Sequence, residues 1–210
     1  MRVDEEIEHD ITEHETNLFI QRISYLLDAQ KIDVIIFEDY DKGLITQELI
    51  QNVVSQARKK KVPVVVDPKK KHFLNYKGVT LFKPNLKELK EGLKIEFDHR
   101  NEKALAKAVE ALKTKLKFDI ALITLSELGM YVHGRHTRKL LPAHLRNIAD
   151  VSGAGDTVVS VAALCLAAGL RSEHIAEISN IAGGLVCEGV GVVPIDKEQL
   201  LKESLNLLAK

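Results

Sequence analysis

The chain has 210 residues, with 30 Lys and Arg balanced by 30 Asp and Glu; 45% are hydrophobic and 29% charged. Zero formal charge gives no support for non-specific nucleic-acid binding, which draws on a basic excess. No apolar run approaches the about 18 residues that would cross a bilayer, and no signal peptide is evident, so a soluble, cytoplasmic globular protein is expected, with no membrane partner. Two cysteines, Cys165 and Cys187, are too few for a disulfide framework or a zinc cluster.

Helical and strand-like periods alternate along the chain. An amphipathic stretch from Glu15 to Ala29 leads into the β-branched run Asp33–Phe37. Thr46 is a fitting N-cap for a helix to Lys60, with Leu49, Ile50, Val53 and Val54 on its apolar face. Val62–Val66 and Val79–Phe82 are short apolar runs stopped by Asp67-Pro68 and Pro84. Asn101–Lys117 carries Leu105, Val109 and Leu112 at helical spacing, and Asp119–Thr124 is a further strand that Gly129–His133 continues as a hairpin. Two Ala-rich helices, Ala154–Leu170 and Ser172–Glu188, precede a last helix from Asp196 to Leu208. Strands that are continuously apolar and separated by helices predict a mostly parallel sheet covered on both faces, an α/β/α sandwich. The lysine triplets Lys59–Lys61 and Lys69–Lys71 read as solvated loop residues. His133 and His136 have a metal-like spacing without a third ligand, and read as surface histidines.

The most informative segment is Asp150-Val-Ser-Gly-Ala-Gly-Asp-Thr157, running straight into an apolar helix. Gly153, Ala154 and Gly155 would let backbone N–H groups at a helix N-terminus approach an anion closely. Asp156 would then stand in the first turn, placed to take a proton from a substrate hydroxyl. The competing reading is a simple helix cap supplied by Ser152 or Asp156, although a cap alone does not call for three small residues in a row. Neither a Walker-type phosphate loop nor a complete dinucleotide fingerprint is present.

This segment resembles the C-terminal signature of the PfkB (ribokinase-like) carbohydrate kinases. Val66-Asp-Pro68, Lys83-Pro-Asn-Leu-Lys-Glu88 and Thr124-Leu-Ser-Glu-Leu-Gly129 resemble further motifs of that family in the same order, with Ser126 where glycine is usual. Glu38-Asp-Tyr-Asp-Lys-Gly43, the opening Arg2-Val-Asp4, Ser126 and Val161 are most similar to the branch that phosphorylates heptose 7-phosphate.

The resemblance implies a ribokinase-like fold over residues 1–210, matching the C-terminal two thirds of such a kinase and lacking its N-terminal strands and β-lid. It implies ATP and Mg²⁺ as cofactors and a sugar phosphate as the other partner. Asp156 would be the base, with Gly153, Ala154 and Gly155 around the transferring phosphoryl group. Asn85, Leu86, Lys87, Glu88, Thr124, Ser126, Gly129 and Asn180 would line the nucleotide, with Glu88 reaching magnesium through water. Asn85 and Glu88 equally fit a capping box, and the two roles are compatible. Asp39, just past a strand end, and Lys42, beside Gly43, are candidate substrate contacts, with an ordinary loop lysine as the alternative for Lys42. Loss of the N-terminal strands would expose an apolar sheet edge, which predicts self-association.

Overall fold

The computed structural model describes residues 9–144 and 146–208; the Arg2-Val-Asp4 segment lies outside the described residues. Six strands form one sheet in sequential order: β1 (Ile35–Glu38), β2 (Val64–Asp67), β3 (Leu81–Phe82), β4 (Ile120–Thr124), β5 (Met130–His133) and β6 (Arg138–Leu141). The first four are parallel, whereas β4, β5 and β6 form an antiparallel meander. The seven helices found among the described residues are α1 (Glu13–Ala29), α2 (Gln47–Lys60), α3 (Leu86–Leu93), α4 (Glu102–Leu116), α5 (Ala154–Ala167), α6 (Ser172–Val186) and α7 (Lys197–Leu208).

The period-two alternation of the strands decides the layers. Val64, Val66, Phe82, Ala121 and Ile123 point to one face, where they meet Leu49, Ile50 and Val53 of α2 and Leu105, Val109 and Leu112 of α4. Val65, Leu81, Leu122, Met130 and Val132 point to the other, against Val158, Val159 and Ala162 of α5 and Ile175 and Ala176 of α6. All four residues of β2 are buried, as expected of a strand covered on both faces. β1 pairs with β2 and forms one margin of the sheet among the described residues, leaving Ile36 40% exposed.

Local chemistry sets the helix ends. The Thr46 hydroxyl accepts from the Leu49 N–H at 3.2 Å, and Lys61 closes α2 in the left-handed conformation with three basic residues in the last turn, which suits the helix dipole. α1 begins two residues earlier than its apolar period indicates, because Thr12 and Glu15 form a capping box. β6 was not expected. Its residues alternate between charged or exposed and partly covered positions, with only Leu141 buried, so no apolar run marks it.

Two surface assignments change in the folded chain. His133 is 1% exposed, on the inner antiparallel strand β5, with Glu110 of α4 at 3.6 Å and its ring held below the usual imidazole range by burial. Lys69 is not a freely solvated lysine: its side chain is 35% exposed and ion-paired to Glu88 at 3.2 Å.

Candidate active site

Parallel strands of an open α/β sheet gather ligands beyond their carboxyl ends. Here β1 ends in Glu38, β2 ends in Asp67, and Lys83 follows β3. The Lys83 ammonium lies 3.1 Å from Asp67, and the two side chains are 3% and 6% exposed. Each charge is tolerable in that setting only because the other is there; removing one partner strands the other in a poorly solvated place. The first turn of α5 sits directly over this pair. A Cβ built on Gly155 would lie 3.7 Å from Lys83 Nζ and 3.8 Å from Asp67 Oδ2.

No side chain caps the N-terminus of α5. Gly153 is the N-cap, with φ +78°, a left-handed conformation that glycine takes without steric cost. The Ser152 hydroxyl donates instead to Asp150 Oδ1 at 2.8 Å, and Asp156 lies within the first turn, so neither residue supplies the cap that composition allowed. The Ala154 N–H donates to the Val151 carbonyl at 3.3 Å. Those of Gly155 and Asp156, in the first turn, have no earlier helical turn to accept them.

Asp150 stabilises this loop. Its Oδ1 also accepts from the Ser152 N–H at 2.9 Å, and its Oδ2 accepts from the Gly191 N–H at 3.1 Å. These hydrogen bonds hold its carboxyl below the usual range. They also tie the segment before α5 to the one between α6 and α7.

Asp156 is exposed and is met from the β1 side. The Tyr40 hydroxyl donates to its Oδ2 at 3.4 Å. Glu38 is pushed above the ordinary carboxylate range by burial first, then by the charge of Asp156 and a hydrogen bond shared with it. The Tyr40 phenol is raised by burial and by the same two carboxylates. Asp39 faces inward: it is 2% exposed, with its Oδ2 accepting from Tyr76 at 2.7 Å and its Oδ1 from the Asp41 N–H at 2.9 Å. Burial and the Asp39 charge raise the Tyr76 phenol, which keeps that hydroxyl a donor. What Asp39 presents to the outside is the turn that carries Glu38 and Tyr40. Lys42 is exposed on the same loop.

Asn85 and Glu88 form a reciprocal capping box at the start of α3: Asn85 Oδ1 accepts from the Glu88 N–H at 2.8 Å, and Glu88 Oε2 accepts from the Asn85 N–H at 2.8 Å. The second oxygen of Glu88 holds Lys69. Leu86 packs against the core, while Lys87 points to solvent, 3.9 Å from Glu91. Thr124, at the end of β4, bridges to Asn85. Ser126 has φ +52°, which accounts for the glycine usual at that position of the motif, since a left-handed residue with a Cβ is strained by about 1–2 kcal/mol. Gly129 ends the short 3₁₀ turn Ser126–Leu128. Asn180, on α6, donates to the Pro142 carbonyl at 2.9 Å.

The fold thus brings Asp156 together with Glu38, Tyr40, Asp67, Lys69 and Lys83. The last five escaped the motif reading as site residues. Glu38, Tyr40, Asp67 and Lys83 stand inside the matched segments with no role of their own assigned there, and all five share a position at or just after the end of a strand.

Residues 13–198 match the family described as pfkB family carbohydrate kinase. The chain belongs to this family. It is 36% identical over 173 residues to the bifunctional protein HldE of Syntrophotalea carbinolica, covering 82% of this chain and 35% of that protein. With the bifunctional protein HldE of Helicobacter hepaticus it is 35% identical over 202 residues, covering 96% and 41%. The chain therefore spans about two fifths or less of these relatives. Among solved structures, phosphofructokinase-2 of Escherichia coli in complex with potassium superposes with a TM-score of 0.82 at 17% identity, over 95% of this chain and 64% of that one. Ribokinase of Arabidopsis thaliana complexed with ribose and ATP gives 0.72 at 17%, over 93% and 60%. The fold of this pfkB-family chain is accordingly ribokinase-like. No helix among the described residues is long and apolar enough to cross a membrane.

Proposed function

We propose that this pfkB-family protein is the ATP-dependent kinase of D-glycero-β-D-manno-heptose 7-phosphate, acting at the C1 hydroxyl in the cytoplasm to supply ADP-heptose for lipopolysaccharide core. The observation that carries the reading is Asp156 in the first turn of an uncapped helix, directly above the ends of β1 and β2. Asp156 takes the proton of the sugar hydroxyl as its oxygen bonds to the γ-phosphorus of ATP. The bond from that phosphorus to the β–γ bridging oxygen breaks, and ADP leaves. The N–H groups of the Gly153–Asp156 turn hold the charge on the transferring phosphoryl, so positioning and electrostatics supply most of the rate.

The residues present fit a divalent cation accompanying the nucleotide. Glu38, Asp67, Glu88 and Asp156 set four carboxylates against the two ammonium groups of Lys69 and Lys83, a surplus that would repel a bare polyphosphate. Among the described residues no three His, Cys, Asp or Glu side chains form a ready-made metal cage. That suits Mg²⁺, which keeps several waters and leans on substrate phosphates. When bound, Mg²⁺ would neutralise phosphate charge, with Glu88 and Asn85 orienting its waters.

The branch assignment is supported by Glu38–Gly43 and by the serine at 126. Incubating the chain with ATP, Mg²⁺ and heptose 7-phosphate, beside Asp156→Asn, tests both levels. ADP release that depends on Asp156 is expected. Faster turnover of another sugar would overturn the substrate, and equal inactivity of both proteins with ATP still bound would favour a nucleotide-binding module without catalysis.

A further inference from the structure

We propose that Lys69 is the cation that contacts the transferring γ-phosphoryl group, held in place for that task by Glu88; this deepens the kinase reading above and rests on it. Lys69 follows β2 by two residues, so its stem starts at the strand ends where α5 begins. Its ammonium lies 3.2 Å from Glu88 Oε1, and the Glu88 side chain is only 14% exposed and fixed through its other oxygen by the Asn85 N–H. A lysine held by a carboxylate that is itself held has lost most of the freedom of a surface lysine.

The electrostatics point the same way. The Lys69 ammonium interacts with the charges of Asp67, Glu88 and Asp156, so it belongs to the same cluster as the candidate base. Lys69 is therefore a cation within the field of Asp156. Lys83, the other ammonium at the strand ends, is 3% exposed and matched by Asp67, so it lies beneath the α5 turn rather than at the surface a phosphate would reach. In the transfer, Lys69 makes and breaks no covalent bond. It offsets charge on the equatorial oxygens while the proton passes to Asp156 and the bridging oxygen departs with ADP.

The test is the binding of the β,γ-imido analogue of ATP and of ADP, each with Mg²⁺, to the 210-residue chain and to its Lys69→Met and Lys69→Arg variants, by calorimetry. A γ-phosphoryl contact predicts that Lys69→Met loses about tenfold of the analogue-over-ADP preference while ADP affinity holds, and that Lys69→Arg restores part of it. Unchanged ADP binding also certifies that the variant is folded. In turnover, kcat should fall about 100-fold in Lys69→Met with the KM for sugar little altered. An analogue-over-ADP ratio equal to that of the unmodified chain overturns the proposal and leaves the kinase reading standing. Equal loss of both nucleotides overturns it too, by making Lys69 a general support of the pocket. If the unmodified chain binds neither nucleotide, the kinase reading fails and takes this inference with it.

Discussion

The two faces of the sheet are built from different materials. On the α1–α4 side the core is large and aromatic: Phe82 stacks on Phe118 at 5.9 Å, and Phe37 meets Tyr76 edge-on at 5.6 Å. On the α5–α6 side the helices contribute mostly smaller residues, Val158, Val159, Ala162, Ala163 and Ala176 beside the larger Ile175, with Gly183 and Gly184 between the helices and their neighbours. Large side chains keep helices at a distance and fill the gap with buried area. Small ones let α5 come down onto the strands until its first turn meets the Asp67–Lys83 pair. One face thus carries the larger, aromatic core, and the other has the smaller helix residues that let the first turn of α5 approach the strand ends.

If that division is right, the largest separation of activity from stability should come from Asp156. Asp156→Asn is expected to lower kcat by about 10²–10⁴, with the thermal midpoint unmoved, since the side chain is exposed on the helix surface. A parallel loss of stability, read by calorimetry, would show that the α5 turn depends on this carboxylate structurally. The opposite pattern is expected on the aromatic face. Leu112 is fully buried under the sheet, and Leu112→Ala should cost about 2–5 kcal/mol in urea unfolding while the surviving folded fraction keeps its KM.

The close approach itself can be broken at Gly183. A Cβ there would lie 2.8 Å from Val158 Cγ2, and a β-branched side chain on a helix has little freedom to move away. Gly183→Ala gains helix propensity of about 1 kcal/mol, but the overpacking of about 1–3 kcal/mol should outweigh it. A net loss of about 1 kcal/mol is therefore expected, relieved when Val158→Ala is added. A double-mutant cycle with no coupling between the two positions would contradict the close-packing account.

The same contrast governs what the amino-acid sequence discloses. The α2 and α4 helices of the large-residue face are legible because Leu49, Val53, Leu105, Val109 and Leu112 repeat at helical spacing and all end up buried. The Gly153–Asp156 turn is legible because three small residues before an apolar helix are uncommon without a reason. Lys69 is not: inside a run of three lysines nothing marks it, and only the fold carries Glu88 across to it. Glu38 and Tyr40 are hidden for the same reason, since Tyr40 meets Asp156 from 116 residues away. His133 misleads because a polar residue at a strand end reads as exposed, whereas β5 lies inside the sheet with α4 over it.

The smallest expected effect concerns the seam where the two layers meet. Glu38 is held above its ordinary 4.5 by burial and then by Asp156. A carboxyl whose folded value is raised favours the folded state fully below the unfolded pKa and loses that contribution as pH rises through the folded value. Glu38→Gln cannot ionise, so relative to the unmodified chain it should gain stability as pH rises from below the ordinary 4.5 to above the raised folded value. The gain should be modest, because solvent screens a group this exposed. Urea midpoints across that range measure it, and a gap that does not change with pH would contradict the assignment. In an Asp156→Asn background the gap should shrink, because the charge that raises Glu38 second only to burial has gone. What remains then measures burial together with the charge of Asp67 and the hydrogen bond from Tyr40, the other groups that meet Glu38 at the end of β1.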